Sequence, residues 1–235
     1  PYTISMKCIA VIQARMGSSR LPGKTLMRIG RLTLFEHVIN RAMCIEGIEE
    51  LHLATTFLTE DDHLVDFARQ KYPELEIYRG HPQNVRSRFE QIGINYKADL
   101  MLRITADDPF KVPKIATDCL TMLKANGFDY VNNYEPPCLP IGMDVECFNF
   151  HAFVEFNKKS VSNYEKEHVT TSLKNLTSNK SSWKVEPCLP NIRLTVDNKS
   201  DLEFCNIVAE ELEKVKAPQN YSWQQTIKAL KILGV

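Results

Sequence analysis

Three cations arrive together among small residues just after the first apolar run. They are Arg15, Arg20 and Lys24, in Gln13-Ala14-Arg15-Met16-Gly17-Ser18-Ser19-Arg20-Leu21-Pro22-Gly23-Lys24. Gly17 and Gly23 let a backbone turn tightly and approach a ligand closely. Backbone N–H groups, arginine and lysine in one loop suit the oxygens of a polyphosphate. The spacing is not that of a Walker A loop, because five residues separate Gly17 from Gly23-Lys24-Thr25 where that motif has four. Pro22 also removes an N–H from the loop. Farther on, Asp107-Asp108 closes the apolar run Leu100 to Thr105. A carboxylate at a strand end suits Mg²⁺, which takes one or two carboxylates with phosphate oxygens and waters. The same pair also reads as an acidic turn before Pro109. Asp197, after Arg193-Leu194-Thr195-Val196, reads as a strand end and helix cap.

The elements that must hold these residues alternate. Ile9 to Ile12 is a short buried strand, followed after the basic loop by a helix over Thr33 to Cys44. Strands over Leu51–Thr55, Glu76–Arg79 and Leu100–Thr105 alternate with helices over Glu60–Tyr72, Val85–Tyr96 and Pro113–Ala125. That order implies right-handed βαβ units and a parallel sheet. Ligands of such sheets sit beyond the carboxyl ends of the strands, where both the basic loop and Asp107-Asp108 fall. Strand alternation sets Arg103, Thr105 and Asp107 on one face. The second half predicts a strand over Met143–Phe148 and helices over His151–Asn157 and Tyr164–Leu176. Strands over Trp183–Glu186 and Ile192–Val196 follow, then helices over Asp201–Lys214, with Asp201 toward solvent, and Trp223–Leu233.

The Gln13 to Lys24 segment resembles the N-terminal signature of the cytidylyltransferases related to the spore coat polysaccharide protein SpsF. The CMP-Kdo and CMP-sialic acid synthetases are more distant relatives. Arg103-Ile104-Thr105-Ala106-Asp107-Asp108-Pro109 is similar to that family's Arg-Ile-Thr-Gly-Asp-Cys-Pro, with Ala106 for glycine and Asp108 for cysteine. Gly142-Met143-Asp144-Val145-Glu146 is similar to its Gly-Leu-Asp-Val-Glu, and Glu167-His168-Val169-Thr170 matches its Glu-His-Val-Thr. Gly80 and Arg88 fit its next loop. The resemblance implies an α/β fold of three α/β/α layers with a mostly parallel mixed sheet, of the nucleotide-diphospho-sugar transferase (Rossmann-like, GT-A-like) kind. It implies that CTP activates a sugar or sugar acid, giving a CMP- or CDP-linked product and pyrophosphate for surface polysaccharide or glycan biosynthesis. One Mg²⁺ is then expected between Asp107 and Asp197. Arg15, Lys24 and Asp107 are the expected catalytic residues. Gln13, Ala14, Arg15, Gly17, Ser18, Ser19, Arg20, Lys24, Thr105 and Ala106 are expected to bind the nucleotide. Asp144, Glu146, Glu167 and His168 are expected to border the sugar. Plain readings exist for these: a solvated strand face for Asp144 and Glu146, and a packed or surface histidine for His168. The acceptor's proton could go to Asp108, Asp144 or a metal-bound water. Alternatives are a sugar-phosphate nucleotidylyltransferase using another nucleotide, a glycosyltransferase of similar architecture, and a non-catalytic nucleotide sensor.

Length and composition bound the rest. The 235 residues and 43% hydrophobic content suit one nucleotidyltransferase domain over 6–235, with residues 1–5 left out of fold reasoning. Residues 134–150 are read as a substrate or dimerisation arm, and a homodimer is expected from the resemblance. Lys+Arg and Asp+Glu are both 29, which argues against a general nucleic-acid binder. Seven cysteines without a C-x-x-C pair read as reduced thiols of a cytoplasmic protein and argue against zinc. No apolar run has the length of a membrane-spanning helix.

Overall fold

The computed structural model describes residues 6–159, 162–186, 192–214 and 221–235. β1 (Cys8–Gln13) leads through the basic loop into a single 3₁₀ turn (Lys24–Leu26) and a short hairpin of β2 (Arg28–Ile29) and β3 (Leu32–Thr33). Then come α1 (Leu34–Ala42), β4 (Glu50–Thr56), α2 (Asp62–Lys71), β5 (Glu76–Gly80), α3 (Val85–Asn95), β6 (Leu100–Thr105) and α4 (Pro113–Asn126). The second half holds β7 (Tyr130–Asn132), β8 (Glu146–Asn149), α5 (Phe150–Asn157), α6 (Asn163–Glu167), α7 (Thr171–Leu176), β9 (Lys180–Ser182), α8 (Lys199–Glu213) and α9 (Trp223–Ile232).

One seven-stranded sheet runs β5-β4-β1-β6-β8-β7-β9. Its pairs are parallel except at β8, which is antiparallel to both β6 and β7. This is the three-layer, mostly parallel mixed sheet that the alternation and the resemblance imply. The chain fills one side of β1 with β4 and β5, then crosses to place β6 on the other side. That reversal opens a crevice beyond the carboxyl ends of β1 and β6. There Gln13 is in register with Thr105.

The two faces of the sheet carry separate cores. Ala10, Ile12, Leu102 and Ile104 join the larger cluster with Leu34, Phe35, Val38 and Cys205. Ile9, Val11 and Met101 point the other way, to Phe89, Ile92, Phe148, Phe153 and Val169. The alternation of β1 and β6 is therefore apolar on both sides, as a sheet covered by helices requires. At their last residues it turns polar, with Gln13, Arg103 and Thr105 on the second face. Helix starts are written locally: Thr33 with Glu36, Asn198 with Asp201 and Ser222 with Gln225 all form reciprocal capping boxes.

The second half departs from the sequence reading. The strand expected over Trp183–Glu186 lies earlier, at Lys180–Ser182, because those residues find β7. β7 itself, only three residues long, leaves no readable period. Residues 192–196 are extended but form one isolated bridge, Arg193 with Ile141, instead of a strand. The helix expected over Tyr164–Leu176 is two, broken at His168–Thr170. Within 134–150, Leu139, Met143 and Val145 are buried in the larger core and 146–149 belong to the sheet. Cys8, Cys119, Cys138, Cys147 and Cys205 are buried and Cys44 is exposed, none in a disulfide; Cys188 lies outside the described residues. No helix among the described residues is long and apolar enough to cross a membrane.

Candidate active site

A cavity of about 1000 Å³ opens beyond the carboxyl ends of β1 and β6. Its floor is Gln13, Ala14, Arg103, Thr105 and Ala106, its basic side Arg15, Ser18, Ser19, Arg20 and Lys24, and its far wall Asn163, Lys166, Glu167 and His168. His81 and Asn84, from the β5–α3 connection, and Arg88, from the start of α3, close the remaining side. Asp107 and Asp197 also line it.

Local bonds fix the basic loop. Gly23 sits at φ 74°, a conformation that favours glycine, and starts the turn that aims Lys24 inward. The Met16 carbonyl accepts from Ser18 and Gly23 amides at 2.9 and 3.0 Å. The Thr25 hydroxyl donates to the Arg15 carbonyl at 2.8 Å. Fully buried Asp61 accepts the Met16 amide at 2.6 Å and the Thr56 amide at 3.2 Å, tying the loop to β4. A Cβ on Gly17 would meet the Glu60 carboxylate, the movable end of an exposed side chain.

The carboxylates meet at Lys24. Its ammonium donates to the Val196 carbonyl at 2.5 Å and to Asp197 Oδ1 at 3.3 Å, and lies 3.7 Å from Asp107 Oδ2. The Val196 amide in turn donates to the Asp107 carbonyl at 2.8 Å, so the two acidic segments are bonded backbone to backbone. Arg20 reaches Asp197 at 3.2 Å and Arg193 also pairs with it. Burial alone would raise the Asp197 pKa, but Lys24, Arg20 and Arg193 outweigh it and hold it below the usual value. Asp107 is shifted the other way, by its depth and by the neighbouring Asp108, with Lys24 opposing. It stands deep in the molecule yet faces an open cavity, so a third of its side chain (34%) still meets solvent. Among the described residues Arg15 makes no ion pair, so its charge is available to a ligand.

A cytidylyltransferase family model matches residues 9–227. The chain belongs to the cytidylyltransferase family. An uncharacterised protein of Methanocaldococcus jannaschii is 30% identical over 206 residues, 85% of this chain and 82% of that one. The spore coat polysaccharide biosynthesis protein SpsF of Bacillus subtilis is 27% identical, covering 82% of each chain. The 3-deoxy-manno-octulosonate cytidylyltransferase of Escherichia coli is 32% identical over 57% of this chain and 49% of its own. A cytidylyltransferase structure from Leptospira borgpetersenii superposes with TM-score 0.89 at 24% identity, covering 97% of this chain and 95% of that one. The chain is thus a nucleotidyltransferase with the fold that its motifs imply.

The geometry of this cytidylyltransferase sorts the remaining expected residues. Glu167 and His168 line the cavity, and the His168 ring lies 4.2 Å from that of Tyr164. Asp144 and Glu146 do not line it. Asp144 faces Lys111 behind the floor, and burial raises its pKa to about 6, with Lys111 opposing and Asp108 adding. Glu146 is buried and takes four side-chain partners. Asp108 is held by the Thr105 hydroxyl at 2.5 Å and Lys111 at 2.9 Å, 5% exposed, turned away from the cavity that Asp107 faces. Asp197 is not the cap of α8: Asn198 is, and the Asp201 carboxylate accepts the Asp197 amide at 2.8 Å instead of facing solvent. Sequence reasoning missed Asp61, because an acid before a helix looks like any first-turn carboxylate. It also left out Lys166 and Asn163, whose polar helix carries no distinguishing period. Arg103 was within reach, since alternation sets it beside Thr105 and Asp107.

Proposed function

We propose that this cytidylyltransferase moves the CMP unit of CTP onto a hydroxyl of a sugar acid, releasing pyrophosphate, with Mg²⁺ as the metal. The observation that carries this reading is the Lys24 ammonium set between Asp107 and Asp197 at the rim of the cavity. The acceptor oxygen forms a bond to the α-phosphorus, the bond to the bridging oxygen breaks, and pyrophosphate departs with that electron pair, while the hydroxyl proton passes to water in the open cavity, which Asp108 and Asp144 do not line. Alignment and charge neutralisation do most of the work in such a step. Arg15, Arg20 and Lys24 hold the triphosphate and meet the charge that develops on the leaving group. The floor around Gln13, Thr105 and Ala106 receives the nucleoside. The wall of Lys166, Glu167 and His168 receives the acceptor. The cavity, about 1000 Å³, lies at the upper end of the usual range for small-ligand sites and has room for both substrates.

Two carboxylates that both reach one ammonium face one spot, and hard oxygen donors of this kind fit Mg²⁺. No group of three or more acidic, histidine or cysteine side chains is arranged as a metal cage among the described residues. That fits a cation which takes its other ligands from phosphate and water. Asp107 and Asp197 would hold it, and when bound it would polarise the α-phosphate as a Lewis acid. A sugar acid is favoured because the Lys166 ammonium stands in the acceptor wall. The Escherichia coli relative is named for 3-deoxy-manno-octulosonate, an acid of this class. The reading extends to one domain over 6–235, a cytoplasmic homodimer using the exposed turn Glu135 to Pro137 and Ile141, and a role in surface glycan synthesis.

The test is incubation with each of the four ribonucleoside triphosphates, Mg²⁺ and a panel of sugar acids and sugar phosphates, scoring pyrophosphate. CTP with a sugar acid is expected to give release. Release with UTP or GTP instead, or CTP binding with no release across the panel, would overturn the reading. A mass by light scattering of one chain at micromolar concentration would overturn the dimer.

A further inference from the structure

Glu146 is the most heavily bonded carboxylate behind the cavity, yet it lines no part of it. Its Oε1 accepts from Tyr130 Oη at 2.6 Å, Tyr134 Oη at 2.7 Å and Thr170 Oγ1 at 2.6 Å. Its Oε2 accepts from an Nη of Arg103, whose Nε donates to Gln13 Oε1 at 2.8 Å. Burial would raise the Glu146 pKa; Arg103 and the three hydroxyls overcome it and bring it to about 2. The carboxylate is therefore a permanent acceptor. The two ends of its network are the two ends of the cavity. Arg103 and Gln13 form the floor, while Thr170 ends the segment that carries Glu167 and His168.

That segment is held in an unfavourable shape. Val169 has φ 48°, in the left-handed region that a β-branched residue avoids, and the Thr170 amide turns back to the His168 carbonyl at 2.6 Å. Such backbone persists only where its surroundings over-determine it. Two anchors do so here: the Val169 side chain, 1% exposed in the core, and the Thr170 hydroxyl on Glu146.

We propose that Glu146 is a positioning residue that couples the nucleotide floor to the acceptor wall of the cavity. It touches neither substrate. One carboxylate sets the Arg103–Gln13 pair through Oε2 and the strained 167–170 turn through Oε1. Naming the two ends nucleotide and acceptor rests on the function proposed above.

The experiment uses the full chain and two readouts that need no turnover: hydrogen exchange of amides 167–171 without ligand, and the dissociation constant of CTP with Mg²⁺. In Glu146→Gln the charge is lost, and an amide whose oxygen serves Arg103 turns an NH₂ toward the three hydroxyls, which must then accept and for which it has only two protons. It should raise exchange at 167–171 at least tenfold and weaken CTP about tenfold. Thr170→Val should raise exchange in the same segment with the CTP constant within twofold. Arg103→Met should do the reverse, and the double variant Arg103→Met/Glu146→Gln should bind CTP no worse than Arg103→Met alone. Tyr134→Phe, which removes one hydroxyl from the same cluster, should leave both readouts within twofold. The coupling is overturned if folded Glu146→Gln keeps both readouts within twofold of wild type. It is also overturned if Tyr134→Phe moves both as far as Glu146→Gln does. Should Glu146→Gln not fold, Thr170→Val without a rise in exchange, or Arg103→Met without weaker CTP binding, overturns it. Wild-type protein that fails to bind CTP would instead remove the nucleotide reading of the floor, and the exchange arm would still decide whether Glu146 holds the wall.

Discussion

Replacing Lys24 by methionine should move two properties in opposite directions. The substitution keeps an unbranched apolar stem and removes the ammonium, with its charge and its hydrogen bonds. Lys24 stands 3.3 Å from Asp197 and 3.7 Å from Asp107, with 13% of its side chain exposed. Two unit charges about 4 Å apart interact by about 1 kcal/mol in bulk water and about 4 kcal/mol at an effective dielectric of 20. The site faces an open cavity, so the lower figure applies. An ammonium that competes with a metal for both carboxylates then costs that metal about 2 kcal/mol, or roughly thirtyfold in affinity. In nucleotide-free protein, Lys24→Met should therefore bind a divalent cation roughly thirtyfold more tightly.

Turnover should fall. Removing one donor aimed at developing charge costs about 10²–10³ in kcat in comparable oxyanion sites. The assays are a Mn²⁺ titration read by electron paramagnetic resonance without nucleotide, and pyrophosphate release from CTP. A thermal midpoint checks the fold; the Val196 carbonyl loses its ammonium partner, a cost of about 1 kcal/mol, or ~2–4 °C for a chain of this size. Turnover within twofold of wild type would refute the role of Lys24 on the triphosphate. Weaker Mn²⁺ binding would refute the competition between ammonium and metal.

Asp61→Asn sets an amide NH₂ against the Met16 or Thr56 donors, and should cost about 1–3 kcal/mol while raising KM for CTP more than it lowers kcat; an unchanged KM would free the loop from this anchor. Asp144 is raised from 3.8 to about 6, so between those values the native state keeps a proton that the unfolded chain has lost, and its contribution to stability falls as pH rises through that window. Asp144→Asn should therefore gain on wild type from pH 4 to 6, by about 3 kcal/mol in all at about 1.4 kcal/mol per pKa unit; parallel melting curves across that range would contradict the shift. Gly142 has φ 103°, and a Cβ there would lie 2.8 Å from the Leu194 carbonyl, so Gly142→Ala should cost about 1–3 kcal/mol and reduce turnover by displacing the segment that leads to Asp197. Full activity in Gly142→Ala would show that this approach does not set Asp197.

The first half of the fold was legible because its elements are long and each obeys one period. β1 and β6 are apolar on both faces and end in polar residues, so the sequence announces both the buried sheet and the place where burial stops. The loop from Gln13 to Lys24 stands out in the sequence as three cations among small residues, and in the structure Arg15, Arg20 and Lys24 line the cavity. The second half was harder for physical reasons. β7 and β9 are three residues each and owe their state to neighbours that lie far off in the chain. The break at Val169 has no glycine or proline to mark it, because tertiary anchors impose the φ. Glu146 alternates within its strand as a solvent-facing residue would, and only Arg103, Tyr130, Tyr134 and Thr170 show that it points into a buried polar cluster.

Asp107 and Asp197 reach the same ammonium by different means, and the difference says where the site can be tuned. Asp107 follows β6 directly, so the sheet that fixes Thr105 opposite Gln13 also fixes it. Asp197 has no such strand behind it. Its segment is held by the Ile141–Arg193 bridge, by the Leu194 backbone against Gly142, by the Val196 amide on the Asp107 carbonyl and by the Asp201 carboxylate on its own amide. Each bond is modest, about 1 kcal/mol, and each comes from a different stretch of chain. The floor of the site is therefore as rigid as the sheet, while the second carboxylate depends on the packing of 138–145. Substitutions in that packing can shift Asp197 by tenths of an ångström while Asp107 and the basic loop stay fixed. They should alter metal dependence before they alter nucleotide affinity.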